Sequence, residues 1–121
     1  MTSSPQVLVV GGGPGGAAAA YWLARSGHEV VVAEKKEYPR EKACGDGLTP
    51  RSIHQLVEMG FDFDIAEFHR TDGLRAFSGG LQLELEWPDH PEFPNWGGVI
   101  RRADLDGRVA ALAEKQGAVV R

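Results

Sequence analysis

The residues best placed to do chemistry in this chain are three spaced glycines and an acid that follows them. Gly11, Gly13 and Gly16 fit the pattern G-x-G-x-x-G. In a dinucleotide-binding turn each has its own task. Gly11 lets the chain turn sharply off a strand, and Gly13 has no side chain to hold a pyrophosphate away from the backbone. Gly16 lets the following helix lie close on the sheet. Pro14 suits a first helical turn. With Gly15 and Gly16 it opens a helix whose free N–H groups and positive dipole end would face phosphates. Glu34 stands 23 residues after Gly11, close to the ~20 expected for the acid that binds a ribose. A carboxylate there accepts bonds from the 2′- and 3′-hydroxyls but repels a 2′-phosphate, which fits the adenosine end of FAD or NAD and not NADP. The bland alternative is a glycine-rich turn that binds nothing, with Glu34 a surface acid at a strand end.

The flanking elements supply the context that such a turn needs. Val7–Val10 is a short apolar strand leading into Gly11, and residues 14–26 make a helix with Ala17 to Ala20 as a slim face against the sheet. Gly27 suits a helix stop. Glu29–Ala33 is a nearly all-apolar strand of the kind covered on both faces. Residues 35–48 then form a polar loop. Thr49 and Pro50 read as the N-cap and first turn of a helix carrying Ile53, Leu56 and Val57 at helical spacing and stopping near Gly60. Residues 62–69 suggest a further short helix. Leu74–Phe77 and Leu81–Trp87 flank Ser78-Gly79-Gly80 as a hairpin, with Leu81, Leu83 and Leu85 on a buried face and Gln82, Glu84 and Glu86 on a wet one. Residues 103–116 pattern as an amphipathic helix with Leu105, Val109 and Leu112 inward, ended by Gly117. The fold class is α/β: a Rossmann-like doubly wound sheet with a β-hairpin insertion between its second and third strands.

Bulk numbers exclude several classes. The chain has 121 residues, 42% apolar and 25% charged, with a formal net charge of -4. That balance argues against a general nucleic-acid binder and offers no polybasic membrane tether. One cysteine permits neither an internal disulfide nor a thiolate zinc cluster, which fits a reducing cytoplasm. No apolar run approaches the ~18 residues of a spanning helix. The chain closes on Ala118-Val119-Val120-Arg121, which reads as a strand beginning, so a longer protein is expected.

Other candidates have two readings each. Lys35 follows the ribose acid directly. Arg40 and Lys42 lie in the loop passing the cofactor, as phosphate or ribose donors or as solvated charges. Cys44 is a pocket residue or a small apolar filler. Asp46 is a positioning group or a turn former between glycines. Arg102, or Arg101 one position earlier, stands before the amphipathic helix. The four histidines show no metal-ligand spacing, and no metal is expected. Trp87 and Trp96 line an apolar groove or pack in a core.

With Glu34, the segment Pro39-Arg40-Glu41-Lys42-Ala43-Cys44-Gly45-Asp46-Gly47-Leu48-Thr49-Pro50-Arg51 and the segment Val99–Asp106 in view, the chain resembles the FAD-dependent geranylgeranyl reductase family. Its Cys-Gly-Asp-Gly-Leu-Thr-Pro-Arg form looks most like the actinobacterial reductases of the menaquinone isoprenoid tail. The resemblance covers essentially the whole chain, as the N-terminal part of an FAD-binding domain over 1–121 with the insertion at about 35–98. It implies bound FAD, an external electron donor and reduction of isolated double bonds in a prenyl lipid or isoprenoid, with peripheral membrane contact through that substrate. It also implies that Gly11, Gly13, Pro14, Gly15, Gly16, Glu34, Lys35 and Arg40 hold the cofactor. Cys44, Gly45, Asp46, Gly47 and Leu48 would run beside the isoalloxazine ring, and Arg102 would reach the ribityl or phosphate region. Cys44 is then the candidate catalytic residue, shaping the pocket at the flavin and not acting as a redox dithiol. The competing functions are an FAD-dependent aromatic monooxygenase and an inactive flavin-binding fragment.

Overall fold

The computed structural model describes residues 4–121. Along the chain run β1 (Val7–Val10), α1 (Pro14–Arg25), β2 (Val30–Ala33), β3 (Gly47–Leu48), α2 (Pro50–Glu58), β4 (His69–Thr71), β5 (Gly73–Ser78), β6 (Leu81–Glu86), β7 (Gly97–Val99), α3 (Arg102–Lys115) and β8 (Val119–Val120). They divide into two compact units. One comprises the chain up to Cys44 together with Arg102–Arg121, the other Gly45–Arg101.

The first unit is a parallel sheet in the order β1-β2-β8. Val7 pairs with Val30 and Val10 with Ala33, while Val31 pairs with Val119 and Val32 with Val120. The parallel ladder runs on past the strands: Gly11 N–H donates to Ala33 O at 2.8 Å and Glu34 N–H to Arg121 O at 2.7 Å. Parallel neighbours require crossovers, which α1 and α3 supply. α1 starts where Gly13 is extended and Pro14 takes the first helical position. It ends at Gly27, whose φ of +94° suits the left-handed turn after a helix. Its buried face is Ala17, Ala20, Tyr21 and Ala24, so α3 packs close alongside, burying Leu105, Val109, Ala110 and Ala113. This is the Rossmann-like β-α-β arrangement expected, with the hairpin falling between β2 and β8. Val9 faces α1, so Leu8 and Val10 point the other way and are 60% and 83% exposed. Strand β2, central in the sheet, buries Val30, Val31 and Val32.

The second unit holds an antiparallel sheet in the order β3-β7-β4, a separate hairpin β5-β6, and α2. Thr49 caps α2 by accepting from Ser52 N–H at 3.4 Å, with Pro50 following. Ile53, Leu56, Met59, Phe61 and Ile100 are buried, and Phe61, Phe63, Phe68 and Trp96 form a chain of ring contacts.

Two expectations need correction. Residues 62–69 form no helix: Asp62 Oδ1 accepts from Asp64 N–H at 2.9 Å, a local turn that competes with helical bonding, and the chain enters β4 at His69. The hairpin forms in the expected place, but neither face is buried. Leu81, Leu83 and Leu85 are 77%, 56% and 49% exposed, because alternation sets which residues share a face and not whether anything covers it.

Candidate functional site

The glycine turn is held from three sides. Gly11 has φ +100°, a conformation a β-carbon makes costly. A β-carbon on Gly16 would lie 2.0 Å from Gly11 O and 3.2 Å from Val9 Cγ1, so α1 meets β1 through bare backbone. A β-carbon on Gly12 would lie 2.0 Å from Tyr38 Oη and 3.1 Å from Glu34 Cβ. Tyr38 fills that space and donates its hydroxyl proton to Gly12 O. Glu34 Oε2 accepts from Gly12 N–H at 2.8 Å and from Arg40 Nη2 at 3.3 Å, while Oε1 accepts from Lys36 N–H at 3.2 Å. Of about four lone-pair directions on a carboxylate, one remains, on Oε1.

Behind the turn lies a buried acid. Asp106, on α3 and 1% exposed, accepts a fork from Arg102, with Nε to Oδ1 at 2.7 Å and Nη2 to Oδ2 at 2.9 Å. Arg40 Nη1 adds a bond to Oδ2 at 2.7 Å. The two guanidiniums converge on Gly13, where a β-carbon would lie 3.4 Å from Arg102 Nη2 and 4.0 Å from Arg40 Nη2. Arg40 also lies over the Tyr38 ring, 5.4 Å from its centre.

These contacts set the charge states. The Gly12 N–H bond holds the Glu34 carboxyl below its ordinary value; burial opposes it, and Lys36 N–H and Arg40 reinforce it. Burial works against the Arg40 charge, but bonds to Asp106 and Glu34 outweigh it and the guanidinium stays more firmly protonated than usual. The Asp106 bond does the same for Arg102 against its burial, with Cys44 a lesser contributor that places the thiol beside this arginine. Burial, then the Glu34 charge, pushes the Tyr38 phenol up.

A cavity of ≈ 320 Å³ opens in front of the turn, lined by Val10, Gly11, Gly13, Ala33, Glu34, Lys35, Lys36, Arg40, Glu41, Lys42 and Arg102. Among the residues expected from sequence it brings together Gly11, Gly13, Glu34, Lys35, Arg40 and Arg102. Pro14, Gly15 and Gly16 form the first turn of α1 beside them. Arg102 lines the cavity, whereas Arg101 belongs to the second unit and is exposed. Cys44 is exposed at the end of the first unit. Gly45, Asp46, Gly47 and Leu48 belong to the second, where Asp46 O accepts from Ile100 N–H at 3.1 Å and Gly47 and Leu48 pair with Val99 and Gly98. Sequence reasoning missed Tyr38 and the middle glycine, Gly12, and gave Asp106 no role, although it closes the segment Val99–Asp106 that carries the resemblance. Asp106 did leave a signal: it is an acid on the apolar face of an amphipathic helix, four residues after Arg102.

The FAD binding domain family matches residues 4–116. The chain belongs to this family. It is 44% identical over 116 residues to a menaquinone reductase of Mycobacterium tuberculosis, covering 96% of this chain and 28% of that protein. Among solved structures, a geranylgeranyl bacteriochlorophyll reductase-like protein of Thermoplasma acidophilum matches with TM-score 0.75 and 32% identity, over 96% of this chain and 29% of that one. The myxobacterial chondrochloren halogenase CndH, an FAD-dependent halogenase, matches with TM-score 0.84 and 27% identity, over 97% and 28%. The cofactor of this FAD-binding domain is FAD, and the site fits it. Five cationic side chains against two carboxylates line the cavity. The N-terminus of α1 has no side-chain cap and no acid in its first turn. Both features suit a diphosphate.

Proposed function

We propose that this chain is the cofactor-holding part of an FAD-dependent reductase of carbon–carbon double bonds in a prenyl chain, such as the tail of menaquinone. The observation that carries the proposal is the 44% identity to a menaquinone reductase across 96% of the chain. When bound, FAD supplies the hydride, drawn from an external electron donor. The chain's own residues bind and orient. Gly11, Gly13, Pro14, Gly15 and Gly16 present backbone to the diphosphate, Arg40 and Arg102 balance its charge with Lys35 nearby, and Glu34 Oε1 accepts from a ribose hydroxyl. Following the family resemblance, Cys44, Gly45, Asp46, Gly47 and Leu48 face the flavin ring. Among the described residues no helix is long and apolar enough to cross a membrane. We place the protein in the cytoplasm, meeting the membrane through its lipid substrate.

The test uses the purified whole protein of which this chain is the cofactor-holding part, loaded with FAD, with a chemical reductant and menaquinone, read by mass spectrometry of the quinone. A product gaining one H₂ per bond reduced is expected. Oxygen consumption matched to a hydroxylated product would instead make it a monooxygenase, and absence of bound flavin would leave neither. Cys44→Ala is expected to retain FAD while changing turnover or the number of bonds reduced; an unchanged rate and product pattern would remove Cys44 from the site.

A further inference from the structure

We propose that Asp106 is the positioning residue of the anion cradle: one buried carboxylate that sets Arg40 and Arg102 at Gly13 before any diphosphate arrives. The inference rests on the FAD site proposed above. Asp106 is absent from the cavity lining, so it acts through the two arginines and not on the ligand. It joins stretches 66 residues apart in sequence, the loop after β2 and the start of α3. Arg102 reaches it from one turn earlier on the same helix, in the forked geometry that only a guanidinium offers. Two guanidiniums within reach of one point on Gly13 repel each other. Glu34 neutralises Arg40 from one side, and Asp106 is the acid that contacts both. Long cationic side chains lose rotamer freedom when they grip a ligand. Side chains already fixed by Asp106 have less to lose, so affinity rises through pre-organisation.

The test is titration of the purified full chain with FAD and with ADP, which carries the diphosphate without the flavin. Asp106→Asn is expected to weaken both roughly ten- to a hundredfold, the scale of a charge-assisted hydrogen bond. In an Arg40→Gln/Arg102→Gln background the same change is expected to do nothing further, since the residues it acts through are gone. Equal losses in both backgrounds would mean a general packing role and overturn the proposal, as would unchanged affinity in Asp106→Asn. Should that variant fail to fold, the ligand-free unsubstituted chain decides by NMR: a coupling across the hydrogen bond from Arg102 Nε to the Asp106 carboxylate is expected, and a freely exchanging Arg102 Nε–H overturns it. Failure of the unsubstituted chain to bind either ligand would overturn the FAD site itself and so is distinct from these outcomes.

Discussion

The Glu34 carboxylate takes bonds from Gly12 N–H, Lys36 N–H and Arg40, so adding a proton to it weakens three contacts at once. Its folded value lies below the ordinary 4.5, chiefly because of Gly12 N–H. Stability from this group is therefore complete above pH 4.5 and is lost as the pH falls through the lower folded value. Urea unfolding between about pH 6 and about pH 3 should show a shallower decline for Glu34→Gln than for the unsubstituted chain; parallel curves would contradict the assignment. Two neighbouring glycines should separate fold from function. Gly12→Ala drives a methyl into Tyr38 and Glu34 and is expected to cost about 1–3 kcal/mol in chemical denaturation. Gly15→Ala meets nothing within 4 Å and should stabilise the free chain by up to about 1 kcal/mol through helix propensity, while weakening FAD binding at the helix start. The residue types and spacing of Gly11, Gly13, Gly16 and Glu34 were readable because each answers to a local rule. The bonds from Glu34 to its own turn were not, since they depend on how β2 ends against β1.

Elements show the same division. Helix α2 was legible from Thr49, Pro50 and Gly60, whose cap chemistry acts within a few residues. The fate of the β5-β6 hairpin was not, because a two-faced strand pattern is silent about what lies opposite. Residues 62–69 were misread because apolar spacing there serves the ring contacts of Phe63 and Phe68, and Asp62 diverts the backbone. Side-chain deletions should report this difference directly. Ile53→Ala removes a side chain with no exposure and is expected to cost about 2–5 kcal/mol. Leu83→Lys, on the open hairpin, should stay within about 0.5 kcal/mol of the unsubstituted chain. A thermal or denaturant midpoint that falls more for Leu83→Lys than for Ile53→Ala would mean the hairpin is covered in solution.

The unit that carries the cavity is assembled from two separated stretches of sequence, with the whole of Gly45–Arg101 between them. On emergence from a ribosome, β1, α1 and β2 would therefore have neither the helix that packs on α1 nor the strand beside Val31 until residues 102–121 are made. Bringing those ends together costs loop-closure entropy that local contacts cannot recover early. Pulse-labelled hydrogen exchange during refolding is expected to protect amides in Ile53–Met59 before those in Val30–Ala33; the reverse order would show β-α-β closing without α3. The nascent chain would hold a half-built nucleotide cradle with its alanine face bare, and cofactor capture would come only after translation had passed Asp106.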